Sequence, residues 1–210
     1  MKCRLLLLAL MIILIFGGCN ANKRLSDDES GIYEKIHHYY NKMESYSAKV
    51  VLTVKGNRGD NVYELEQKVL KNDKMLSCVL SPDDVKGIQT IKNGEKVKVI
   101  YNGKEKHELE SEASADLDLS YVNNFFSLYY RSEETSVSVS ANVEKGGTTL
   151  LETDLSDKST RRQKASMLID NNTLTPKNIT VYDMGGNVVF IAEFVEFKYN
   201  DKIDDKIFEI

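Results

Sequence analysis

The chain of 210 residues has no tryptophan, two prolines, three histidines and three cysteines. Each shortage excludes something. Pro82 and Pro176 alone cannot make a proline-rich stalk. His37, His38 and His107, with Cys3, Cys19 and Cys78, show no zinc-ligand spacing. His37 and His38 are neighbours on a predicted helix and point about 100° apart, so one ion cannot be held by both from one face. So few cysteines also exclude a disulfide scaffold, which leaves the fold to its hydrophobic core. There is no Gly-x-Ser-x-Gly elbow, no His-Glu-x-x-His and no phosphate-cradling glycine loop. The sequence therefore argues against an enzyme and names no cofactor or metal. It also lacks a basic stripe. Its 28 Lys and Arg stand against 32 Asp and Glu, a balance that does not fit a nucleic-acid partner.

What is present starts with one apolar run. Lys2 and Arg4 precede Leu5 to Phe16. The run has secretory-signal proportions and falls short of the ~20 residues of a membrane span. Leu14-Ile-Phe-Gly-Gly-Cys19 follows. It resembles the lipobox of bacterial lipoproteins, with Phe16 standing where leucine is usual. That resemblance implies cleavage before Cys19, diacylation of its thiol and an exported, lipid-anchored chain. Two acyl chains anchor stably where one does not. Residues 1–18 are read as signal peptide, 19–30 as a polar lipidated tether and 31–210 as one domain. Without Lys2 and Arg4 the net charge moves from −4 to −6. Cys78, in the apolar run Met75 to Leu80, is expected to be a small buried hydrophobe.

Along the domain, Ser26 or Asp28 can cap a helix over about Glu29 to Glu44. Ile32, Ile36, Tyr39, Tyr40 and Met43 form its apolar stripe, with the two histidines on its flank. Strands are predicted at Ser47–Lys55, Asn61–Lys71, Met75–Leu80, Gly87–Ile91, Lys96–Tyr101 and Lys106–Leu109. Asn93-Gly94 and Asn102-Gly103 are strong hairpin signals between them. A second helix, Leu119–Arg131, carries a broad aromatic face. Strands resume at Thr135–Val143, Leu150–Leu155, Gln163–Ile169, Asn178–Asp183 and Asn187–Tyr199. The last strand reads as apolar on both faces, so it needs cover on both. An α+β fold meets that need: a strongly curved antiparallel sheet, a half-open barrel, with helices on the concave side. Its open edges invite pairing with another chain, so a homodimer by strand exchange is expected.

Several stretches together resemble one superfamily. They are Glu44-Ser-Tyr-Ser-Ala48, Leu80-Ser-Pro-Asp-Asp-Val-Lys-Gly87 with Ile91-Lys-Asn-Gly94, Leu168 to Asn187, and Phe194 to Phe208. In this order they resemble the LolA/LolB/RseB-like lipoproteins and, among those, the GerS-like germination lipoproteins of clostridia. The resemblance implies an eleven-stranded curved sheet around helices. It also implies a non-enzymatic, lipid-anchored protein of the cell membrane or spore intermembrane space. Such a protein binds and regulates a partner, a cell-wall N-acetylmuramoyl-L-alanine amidase that modifies the spore cortex during germination. The alternative is a lipid or lipoprotein carrier that holds acyl chains in the concavity.

The residues that separate these alternatives lie on the second helix. Tyr121, Phe125, Phe126 and Tyr129, with Tyr130 beside them, line a lipid cavity or plug the half-barrel as core. The phenol hydroxyls favour the plug, because buried hydroxyls need partners. The acidic run Glu108, Glu110, Glu112, Asp116 and Asp118 lacks the ordered spacing of a calcium loop and reads as solvated.

Overall fold

The computed structural model describes residues 26–101, 104–106, 117–140, 146–155 and 161–210. Cys19 and the leader before it, His107 and most of the acidic run lie outside these residues. The chain divides into two units, Met1–Ile32 and Tyr33–Ile210. Helix α1 (Asp27–Asn41) begins in the first and continues into the second, and Ser26 opens it with a reciprocal cap. The Glu29 amide donates to Ser26 Oγ, and the Ser26 amide donates to Glu29 Oε2 at 2.7 Å. The cap starts the helix two residues early, so Asp27–Ser30, read as tether, are helical.

The second unit holds an open, curved antiparallel sheet of eleven strands. They are β1 (Ser45–Val54), β2 (Asn61–Leu70), β3 (Lys74–Ser81), β4 (Gln89–Asn93), β5 (Lys96–Tyr101), β6 (Lys104–Lys106), β7 (Thr135–Val139), β8 (Thr148–Asp154), β9 (Lys164–Asp170), β10 (Pro176–Tyr182) and β11 (Val188–Tyr199). Their order is β6-β5-β4-β3-β2-β1-β11-β10-β9-β8-β7. Two meanders, β1–β6 and β7–β11, thus meet at a single seam, β1 against β11. Helix α2 (Val122–Arg131) lies in the chain between them. Turn chemistry sets the hairpins: Gly94, at φ +61°, makes the tight turn that Asn93-Gly94 predicts.

Alternation assigns the faces. Tyr46, Ala48, Val50 and Leu52 of β1 point inward with Leu65, Gln67 and Val69 of β2, and all are buried. The expectation for β11 needs correction. Its apolar residues do not cover both faces; they change phase. Val50 pairs with Phe194 and Lys49 with Glu196, so Val195 is an extra residue in a β-bulge and is 66% exposed. The bulge returns Phe197 and Tyr199 to the face of Phe190, Ala192 and Phe194. Tyr199 then stacks on Tyr39, with ring centroids 4.1 Å apart, and donates to the Tyr39 carbonyl.

A second face is covered elsewhere. After Asn200, at φ +50°, residues 201–210 run back over the outer face as a strap. Asn200 Oδ1 accepts the Glu44 amide at 2.8 Å, and Lys74 Nζ reaches both carboxylate oxygens of Asp205, at 2.7 and 2.8 Å. Asn93 Nδ2 donates to the carbonyl of Phe208, whose side chain is fully buried. Lys74, Leu76, Ile91 and Asn93 share that outer face, which accounts for the burial of Ile91. Cys78 also corrects an expectation. It lies on the outer face opposite Glu66 and is half-buried, because Ser77 takes the inward place.

Candidate functional site

Helix α2 presents Val122, Phe125, Phe126 and Tyr129 inward, and Tyr121 precedes it; all five are buried. Of the four sequence-predicted residues, Phe125, Phe126 and Tyr129 are brought together. Phe125 meets Phe126 edge-on at 5.7 Å and stacks with Tyr129 at 6.0 Å. Phe126 lies 4.2 Å from the ring of Tyr40 on α1. Tyr130, by contrast, is 43% exposed and meets His37 edge-on at 5.2 Å. His37 and His38 are exposed, as their flank position implies.

Beside this cluster, the Tyr40 hydroxyl donates to the Leu174 carbonyl at 2.8 Å. Burial is the main reason that the Tyr40, Tyr46, Tyr121 and Tyr129 hydroxyls keep their protons well above the usual phenol range. Tyr121 faces Ser77, whose buried hydroxyl makes no hydrogen bond of normal geometry among the described residues.

A polar chain fixes the start of α2. Ser120 Oγ donates to the Leu117 carbonyl at 2.6 Å and accepts Gln67 Nε2 at 2.9 Å. Gln67 Oε1 in turn accepts the Tyr46 hydroxyl at 3.5 Å. The same hydroxyl accepts the Val122 amide at 3.2 Å. Tyr121 supplies no side-chain cap, so a phenol from β1 caps the helix across the core. Sequence reasoning missed this network. Its one signal was Gln67, the polar member of an otherwise apolar inward set.

The sheet edges form the other surface. β6 and β7 end the sheet and each pairs on one side only among the described residues. Where β7 begins, a hollow of about 690 Å³ opens between the end of α2 and the end of β8. No group of three or more histidine, cysteine, aspartate or glutamate side chains is placed to hold a metal among the described residues. No helix among them is long and apolar enough to cross a membrane.

Comparison with known proteins adds the following. A family model described as YdcC, "Sporulation protein YdcC-like", matches residues 1–208. No curated protein matches the chain. Among solved structures, an uncharacterized conserved protein from Thermus thermophilus is 11% identical, with 88% of this chain and 94% of that one covered and a TM-score of 0.52. A chain in the complex of the CwlD amidase with the GerS lipoprotein from Clostridioides difficile is 24% identical, with 85% and 99% covered and a TM-score of 0.48. A LolA superfamily protein from Nitrosomonas europaea is 13% identical, with 87% and 97% covered and a TM-score of 0.48. The Thermus likeness is one of fold.

Proposed function

We infer the function from one premise: the chain belongs to the YdcC-like family of sporulation proteins. It is an exported lipoprotein, anchored through Cys19, that has no catalysis of its own and binds and regulates a partner. The partner is a peptidoglycan amidase that modifies the spore cortex for germination. The observation that carries this reading is the family match, which runs through nearly the whole chain. The amidase itself rests on the resemblance of Leu80–Gly87 with Ile91–Gly94 to GerS-like lipoproteins. The packing of Tyr121, Phe125, Phe126 and Tyr129 supports a plugged interior over an acyl-chain cavity. Phe126 and Tyr129 both pack on Phe125, and all four side chains are buried. The open sheet edges are where the regulated protein or a second copy of this chain adds a strand.

The test is affinity purification of the full chain from detergent-solubilised native membranes, with proteins and lipids read by mass spectrometry. A stoichiometric cell-wall amidase without acyl chains is expected. Bound acyl chains and no protein partner mean a carrier instead. Cys19→Ala is expected to release the chain from the membrane fraction and to leave the amidase bound.

A further inference from the structure

The two edges of the sheet differ in kind. Among the described residues β6 is Lys-Glu-Lys, a charged edge of the sort that discourages pairing. β7 is Thr-Ser-Val-Ser-Val, with neither charge nor proline, and Thr135, Ser136 and Ser138 are exposed. The Ser140 amide donates to Thr148, and the Asp154 amide donates to Glu134. Those bonds set the alternation of the ladder. The even residues of β7 face β8, so the N–H and C=O groups of Thr135, Val137 and Val139 point to the free side.

The hollow beside this edge has a floor and a rim of different chemistry. Leu128 and Leu155 form the floor. Glu133, Glu134 and Asp154 stand around it, with Arg131 the one cation lining it among the described residues. Such a site fits a long basic side chain, whose methylene stem covers the leucines while its charge reaches the carboxylates. Glu152 is not counted, because Ser136 and Lys164 already engage it. We propose that the free edge of β7 binds an extended, basic, β-branched segment of the regulated protein, which adds as a twelfth strand and seats a lysine or arginine in the hollow. This rests on the partner-binding reading and names the chemistry of the contact.

The test is fluorescence anisotropy of the purified full chain with a labelled Lys-Val-Lys-Val-Thr-Val-Lys probe. Three further probes accompany it: a glutamate-for-lysine version and two versions N-methylated at alternate residues, one on each edge of the strand. Saturable binding of the basic probe is expected, with a loss of at least about tenfold when the bonding edge is methylated, since two or three hydrogen bonds go. Val137→Pro removes an outward N–H at a place where an edge strand tolerates proline. It is expected to weaken the probe by a similar factor while Tm shifts little. If that variant does not fold, the methylated probes decide the matter on the unaltered chain. Glu133→Lys with Glu134→Lys is expected to weaken the probe several-fold. Equal binding of the glutamate probe, or tight binding of both methylated probes, overturns the proposal. So does a dimer of the full chain that Val137→Pro converts to monomer, since the edge then belongs to a second copy. An amidase captured equally well by Val137→Pro sinks this contact and leaves the partner-binding reading standing.

Discussion

Leu65, Gln67 and Val69 of β2 occupy the same kind of place as Ala165, Met167 and Ile169 of β9. Each set is three inward residues in the middle of a meander, and all six are buried. Their surroundings differ. Gln67 sits in a polar chain that runs from Tyr46 to Ser120 and the start of α2. Met167 faces Leu151 and Ile179 across its two neighbouring strands, with no polar partner. The outer faces differ as well: the strap with Phe208 covers β3 and β4, and no such strap crosses β8–β10 among the described residues. Apolar packing is tolerant of small changes in how a helix seats on a sheet, whereas a hydrogen-bonded chain fixes one seat. The polar chain of the first meander therefore fixes where α2 begins, and the apolar interior of the second sets no such point.

This contrast can be broken most severely with alkali. Burial holds the Tyr40, Tyr46 and Tyr121 phenols protonated far above the ordinary value of ~10, and Tyr39 is pushed up to about 12. The folded chain thus binds more protons than the unfolded one above pH ~10, so stability present below that pH falls as pH rises through this window. Amide exchange at increasing pH should release Tyr46 and Gln67 before Met167. Simultaneous release of both meanders would erase the distinction.

Phe208→Ala tests the strap. Removing a fully buried phenylalanine should cost about 3–5 kcal/mol in a denaturant titration. A cost near that of a surface change would mean that the strap is not integral to the first meander. Gln67→Leu compares the two interiors directly. It leaves the Ser120 and Tyr46 hydroxyls short of a partner and should cost about 1–3 kcal/mol. Met167→Leu conserves volume in the second meander and should cost under about 1.5 kcal/mol. Equal costs would argue that the polar chain carries no special weight. Tyr46→Phe removes only the hydroxyl that caps Val122, a loss of about 1 kcal/mol, and exchange should quicken first at the start of α2. Lys74→Ala breaks an ion pair with an exposed Asp205 and should cost no more than about 1 kcal/mol.

Much of this was legible in the sequence because it depends on local rules. Ten of the strands and two helices follow from period and turn residues, and Asn93-Gly94 sets a hairpin unaided; β6 lies at Lys104–Lys106, and the rest of the strand expected at Lys106–Leu109 is outside the described residues. The burial of Ile36 and Tyr40 follows from helical spacing, as that of Phe125 and Phe126 does, whereas Met43, predicted on the same stripe, is buried beyond the helix end at Asn41. What escaped needs two distant segments at once. That Tyr46 caps Val122 cannot be read from either, since a phenol in a strand looks like ordinary core. Val195 was misread because a bulge changes the phase of alternation, and a continuous apolar run hides such a change. The site at β7 was harder still. Its floor comes from α2 and from Leu155, and its rim comes from residues that look like plain solvated charge until β8 pairs with β7.

The seam between the meanders has a bearing on how the chain folds. Every other strand pair joins neighbours in sequence, but Tyr46 meets Tyr199 only after the chain between them is in place. Closing so long a loop is entropically costly, so the hairpins of each meander should assemble early and the seam late. Until it closes, β1 and β11 are two raw edges lined with Val50, Leu52, Phe190 and Phe194. In that interval the chain is most open to mispairing, and lowering the interval's duration is what a folding helper for this protein would have to do.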